Sequence, residues 1–269
     1  MATGTYNAAS AVPDLGAGSR IMVYPGKAAF RAGNVPGTEW DNVKVGLNSV
    51  AMGYGTEARG DFSTAFGYQT NASGYSSTAL GRYTQATGSE TFAAGYLSNA
   101  SGQNSIAVGN GTWARGENST AMGRSTVSGG TFSTATGFGT NAKGYSSFVA
   151  GLFNDSLLVN DEAAFSGTTP IFVLGNGNAD NDRSNAMVVQ KNGNVGIGNI
   201  LPHPTALLHI DLGNSLTKGL LITGSFNGAS TMPNLLGAGS RLMFYPGKAA
   251  FRAGYVSGIQ WDNANVGLY

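Results

Sequence analysis

From Asn48 to Leu152 small, bulky and polar side chains recur in a frame of seven residues. Glycine holds the seventh place without a miss, at 53, 60, 67, 74, 81, 88, 95, 102, 109, 116, 123, 130, 137, 144 and 151. The third place is always Ser or Thr, and the fifth is Ala except at Ser128 and Val149. The fourth and sixth places alternate in character from one unit to the next. In the first kind of unit they are mainly apolar: Val50/Met52, Thr64/Phe66, Thr78/Leu80, Phe92/Ala94, Ile106/Val108, Thr120/Met122, Thr134/Thr136 and Phe148/Ala150. In the second they are mainly polar, as in Glu57/Arg59, Asn71/Ser73, Gln85/Thr87, Asn99/Ser101 and Asn141/Lys143, with Trp113/Arg115 partly breaking the rule.

A seven-residue period is also that of a coiled coil, but a coiled coil needs large apolar residues at two places per heptad. Here the fixed places hold Gly, Ala and Ser/Thr, and each helical glycine would cost about 1 kcal/mol relative to Ala. Side-chain alternation with period two fits instead. Places three, five and seven share one face and fill an interior. Places four and six form the other face. The pattern therefore predicts an all-β solenoid of 14-residue coils, two short strands per coil, with glycine giving backbone freedom at tight turns. Stacked at about 4.8 Å per coil, one outer sheet is wettable and the other apolar. Val50, Met52, Phe66, Leu80, Phe92, Ile106, Val108, Met122 and Phe148 make up the apolar row. An apolar row of this extent calls for association, and cyclic self-association about an axis along the rod is its simplest closed form.

The units Asn48-Ser49-Val50-Ala51-Met52-Gly53, Asn104-Ser105-Ile106-Ala107-Val108-Gly109 and Asn118-Ser119-Thr120-Ala121-Met122-Gly123 resemble the head repeats of YadA-like trimeric autotransporter adhesins. The resemblance implies a left-handed parallel β-roll and a homotrimer with the apolar row on the threefold axis. It also implies an adhesive place at a bacterial cell surface. The Thr134/Thr136 pair departs from the apolar pattern.

A larger repeat encloses the roll. Gly18 to Leu47 returns as Gly239 to Leu268, with 22 of 30 positions identical. This divides the chain into an N-terminal junction module (1–47), the roll (48–152), a connector (153–220) and a second junction module (221–269), and suggests a piece of a longer array with end-to-end neighbours. Arg20, Lys27, Arg31, Trp40 and Asp41, repeated as Arg241, Lys248, Arg252, Trp261 and Asp262, form the densest polar cluster and are expected to lock the junctions through interchain pairing and stacking. In the connector, 170–175, 206–210 and 219–222 read as strands. Residues 185–190 and 194–198 read as a hairpin about an Asn192-Gly193 turn. The run Lys191 to Gly198 resembles a motif of bacterial surface fibres and phage tail fibres.

Composition narrows the chemistry. The chain has 269 residues with 42 Gly, 11% charged residues and 41% hydrophobic ones. That is too apolar for disorder. A net charge of +1 leaves no electrostatic footprint for nucleic acid. The absence of cysteine excludes disulfides, thiolate metal sites and a thiol nucleophile. Nothing approaches 18 consecutive apolar residues, so no membrane insertion is expected of this segment, and the start Met1 to Tyr6 lacks the features of an export signal. His203 and His209, the only histidines, suggest no triad. The Asp180 to Ser184 run has Lys191 where a calcium loop needs Glu, and reads as a solvated turn. Threonines 14 residues apart (56, 70, 84, 112, 126 and 140) suggest an ice-binding ladder, but parity puts them inside. No catalytic, cofactor or metal site is expected, and the chain is not read as an enzyme. The expected work is structural and adhesive, by multivalent contact with a glycan, matrix protein or abiotic surface. A phage or injection-system tail fibre and a purely architectural filament are the alternatives.

Overall fold

The computed structural model describes residues 3–156, 163–164, 166–198, 204–211 and 238–258. The chain falls into two compact units, Met1–Gly213 and Asn214–Tyr269.

The first unit opens with an antiparallel hairpin, β1 (Gly18–Tyr24) and β2 (Ala29–Val35), joined by a 3-10 turn at Pro25–Lys27. The roll follows. Its strands alternate long and short, from β3 (Val50–Tyr54) and β4 (Glu57–Ala58) to β16 (Asn141–Ala142) and β17 (Phe148–Leu152). The five-residue strands carry odd numbers and the two-residue strands even ones. Long strands pair in parallel with long and short with short, and each residue faces the one 14 places on: Val50 opposite Thr64, Gly53 opposite Gly67, Asn71 opposite Gln85. The two-strand coil of 14 residues is therefore the architecture, with one sheet of long strands and a second, seven-stranded sheet of short ones.

The long-strand sheet does not stop at the expected module boundaries. At its start β2 lies parallel to β3, with Gly33 in register with Gly53. At its end β18 (Pro170–Asn176) lies parallel to β17, with Gly151 opposite Gly175, and the connector hairpin of β19 (Asn185–Gln190) and β20 (Val195–Ile197), then β21 (Leu208–Ile210), continue it to fourteen strands. The hairpin turns at Asn192-Gly193 as expected, with Gly193 at φ +90°. The strand expected at 219–222 lies outside the described residues.

Inside the roll, Ala51, Ala58, Ala65 and their successors to Ala121 are fully buried, in one continuous column. The lumen is one methyl group deep from each side. It widens only at its end, where Val149, Val173 and Val188 join Ala135 and Ala142.

Glycine does something other than expected. The left-handed corners fall at the second place of the units, and mostly on other residues: Asn48, Phe62, Ser76, Glu90, Asn104 and Asn118 before the long strands, Gln69, Tyr83 and Leu97 after them. The ladder glycines sit where adjacent coils touch. A Cβ on Gly74 would lie 1.8 Å from the carbonyl oxygen of Gly88, and one on Gly95 would lie 2.1 Å from that of Gly109. Close approach of backbone to backbone fixes the seven-residue spacing. Only the long-strand row adds a positive φ, as at Gly95 (φ +111°).

The second unit repeats the opening hairpin as β22 (Gly239–Tyr245), a 3-10 turn at Pro246–Lys248, and β23 (Ala250–Val256).

Candidate functional site: the outer faces and the closed ends of the roll

Alternation along each long strand turns places three and five inward and four and six outward. The third-place hydroxyls are buried in every coil. Ser63 Oγ and Ser77 Oγ donate to the carbonyls of Gly60 and Gly74, at 2.5 and 2.7 Å, tying each turn three residues back. The 14-residue threonine ladder, Thr56 to Thr140, is buried too, so it presents no flat hydroxyl array to water.

The outward places form two parallel columns on the long-strand sheet. Met52, Phe66, Leu80, Val108 and Met122 belong to one, and Val50, Phe92, Ile106 and Phe148 to the other. Met52, Phe92, Ile106, Met122 and Phe148 are exposed in the single chain, at 36–42%, and the other four are half-buried. None belongs to the buried lumen column. Both columns run past the roll. Ala32 and Ile21 extend the first at one end, and Leu174, Met187 and Ile197 extend it at the other. Phe30 and Phe172 extend the second, with the Phe148 and Phe172 rings stacked at 6.0 Å. The seven-residue frame did not mark these flanking residues: Gly33 and Gly175 pair with Gly53 and Gly151 but lie 20 and 24 residues from them, out of step with a multiple of seven.

The short-strand face is polar. Glu57, Asn71, Gln85, Asn99 and Asn141 project from it, and Asn99 Nδ2 donates to Gln85 Oε1 at 3.1 Å. Lys44 and Arg59 both pair with Glu57. Trp113 interrupts the row, 40% exposed, with the Arg115 guanidinium 4.8 Å from its ring. A belt of Tyr54, Tyr68 and Tyr96 lines one edge, with Tyr54 stacked on Tyr68 at 5.0 Å and Arg82 over Tyr68 and Tyr96.

A solenoid's ends leave its first and last coils with backbone groups that no neighbouring coil satisfies. At the first coil Arg31 occupies the position opposite Ala51 and is completely buried. Its guanidinium donates to the carbonyls of Ser49 and Ala58 (2.9 and 3.0 Å) and to Ser49 Oγ (2.8 Å). Burial pushes its pKa down to about 10, opposed by Tyr24, so it enters the lumen charged. Trp40, 2% exposed, donates Nε1–H to the carbonyl of Thr56 at 2.9 Å. Lys27 donates to the carbonyls of Asn42 and Val45, and its pKa is lowered by burial and by the Arg31 charge. Arg20 donates to the Gly16 carbonyl, and Asp41 accepts from Gly16 N–H. Within the chain, then, this cluster plugs and braces the roll's mouth. Of its second copy, Arg252 donates to the Phe251 carbonyl at 2.9 Å and Lys248 is buried. Trp261, Asp262 and the Arg241 side chain lie outside what is described.

The far end has a stopper that sequence reading missed. Asn154, 1% exposed, accepts from Asn141 N–H at 2.7 Å and donates to Asn141 O at 3.0 Å, so its amide imitates the next strand. Arg183 donates to the carbonyls of Gly139 and Asn154. Asn154 falls at the third place of one further unit of the frame, where Asn replaces the usual Ser or Thr, and no periodicity marks Arg183.

Among the described residues no cluster of His, Asp or Glu could hold a metal. Asp180 pairs with Arg183, and Asp182 accepts from Asn178 Nδ2, within one turn. No helix among them is long and apolar enough to cross a membrane. No curated protein matches the chain. The YadA head domain repeat matches in six overlapping stretches, from 45–70 to 114–140, so residues 45–140, whose coils build this roll, are YadA head domain repeats.

Proposed function

We propose that this chain is part of a homotrimeric bacterial surface fibre, structural and adhesive in its work and without catalytic activity. The observation that carries the proposal is the placement of bulk. Between the Arg31 and Trp40 plug at one mouth and Val149 at the other, the lumen holds nothing larger than Thr, while Met, Phe, Ile and Leu stand outside in two columns. At about 4.8 Å per strand, the fourteen strands give each column a length of roughly 60 Å. An apolar strip of that length belongs against another protein surface, and three identical strips around one axis cover each other. That assembly leaves the polar short-strand faces outward, three times over. Weak contacts there gain strength by multiplicity, and a glycan or matrix surface is the proposed target.

The test is mass and binding measured together. Phe66→Asp with Val108→Asp should convert a trimer to monomer by light scattering and, on a glycan or matrix-protein array, reduce retention of the chain at least tenfold. A wild-type monomer, or a double variant of unchanged mass, refutes the axis. Equal retention of monomer and trimer refutes multivalent adhesion.

A further inference from the structure

The two hairpins are the same object in two situations. β22 and β23 pair as β1 and β2 do, Gly239 opposite Val256 to Tyr245 opposite Ala250, against Gly18 opposite Val35 to Tyr24 opposite Ala29. The turn residue Ala249 has φ 51° where Ala28 has 49°, and Gly254 has φ 133° where Gly33 has 138°. In the first hairpin the outer edge is taken. β2 carries β3, Phe30 N–H donates to the carbonyl of Ser49, and Gly55 N–H donates to that of Asn34. The space a Cβ would need at Gly33 is filled by the Gly53 carbonyl oxygen, 2.0 Å away. In the second hairpin the sheet has two strands among the described residues, and Phe251 and Tyr255 on β23 are 61% and 70% exposed.

We propose that the outer edge of β23 is a docking edge for a parallel β-roll coil like that of residues 48–61, which makes the second hairpin the initiation cap of another roll. The guanidinium selects the occupant. Arg31 makes one bond to its own strand, to the Phe30 carbonyl at 2.9 Å, and Arg252 makes the same bond to Phe251 at 2.9 Å. The other Arg31 partners are the Ser49 carbonyl and hydroxyl, just ahead of a long strand, and the Ala58 carbonyl, on a short one. Those groups lie nine residues apart and converge only because the chain closes a coil. A lone extended peptide or the edge of a second hairpin offers the first carbonyl but not the last. Burying a guanidinium without a carboxylate demands the full set. Gly254 adds a second filter, since its positive φ and missing Cβ admit a carbonyl at the distance Gly33 does. The inference stands on the hairpin pair and does not depend on trimerisation or adhesion.

The experiment appends residues 49–198 directly after Tyr269, which stands at the repeat position of Asn48, and follows hydrogen exchange of the peptide covering 250–256. In the extended chain these amides should exchange at least tenfold more slowly than in the chain as it is. Arg252→Met, which removes one exposed hydrogen bond from the hairpin itself, should abolish most of that gain. Gly254→Val should abolish it too, and its effect on the hairpin is read in the unextended chain. Unchanged exchange at 250–256 beside a folded second roll overturns the proposal. So does protection that survives Arg252→Met, and so does concentration-dependent protection in the unextended chain, which would make a second copy the occupant.

Discussion

The glycine ladder gives the sharpest prediction, because two reasons for glycine can be separated by position. Gly74 lies outside the left-handed region, and its only need for glycine is space. An ideal Cβ there sits 1.8 Å from the Gly88 carbonyl oxygen, 2.5 Å from its carbon and 3.1 Å from the Thr87 oxygen. Reaching a tolerable 3.0 Å requires the coils to part by up to 1.2 Å at that point. They are joined there by Ser73 N–H and Gly74 N–H to the Ala86 carbonyl, at 3.0 and 3.2 Å. An opening near 1 Å takes both beyond hydrogen-bond range. At about 1–3 kcal/mol for each buried group left unmet, Gly74→Ala should cost about 3–5 kcal/mol. Gly193 is the control for backbone strain, since it has φ +90° and no atom within 4 Å of its Cβ position. Gly193→Ala should cost about 1–2 kcal/mol. Gly95 carries both burdens, φ +111° and a 2.1 Å approach, and should cost most. Urea unfolding followed by far-UV circular dichroism at fixed protein concentration measures all three, with the slope checked for two-state behaviour. If Gly74→Ala costs no more than Gly193→Ala, close approach is the wrong reason for the ladder.

Arg31→Met should lower stability by about 2–4 kcal/mol, since it removes three buried hydrogen bonds to the first coil while relieving the burial of a charge. The difference from wild type should be flat from pH 5 to 9, because the folded-state pKa of about 10 keeps Arg31 charged there. Above pH 10 the unfolded chain holds the proton more tightly, so wild type should gain relative to the variant; a gain below pH 8 in parallel urea titrations contradicts the assignment. Ala107→Leu should cost about 1–3 kcal/mol or more by overfilling a lumen filled at that level only by Ala, Ser and Thr side chains, read as a fall in Tm. An equally stable variant would mean that the lumen is not closely packed.

The seven-residue frame by itself determined the coil, its parity and the two outer faces. Periodicity does this because every coil repeats one environment, so each residue type is reported many times over. From Ala51 to Ala121 the same small side chain returns because the same space returns. Tertiary structure decided what happens once. Arg31 and Trp40 at one mouth and Asn154 and Arg183 at the other meet carbonyls that exist only when the coils are stacked. Their cluster was legible in the sequence as repeated charge and aromatic character, but its direction, into its own lumen, was not. The reason for each glycine was hidden for the same cause. A missing Cβ is visible in a sequence, whereas the backbone of the next coil, 14 residues away and 1.8–2.6 Å from that space, becomes a neighbour only in the folded stack.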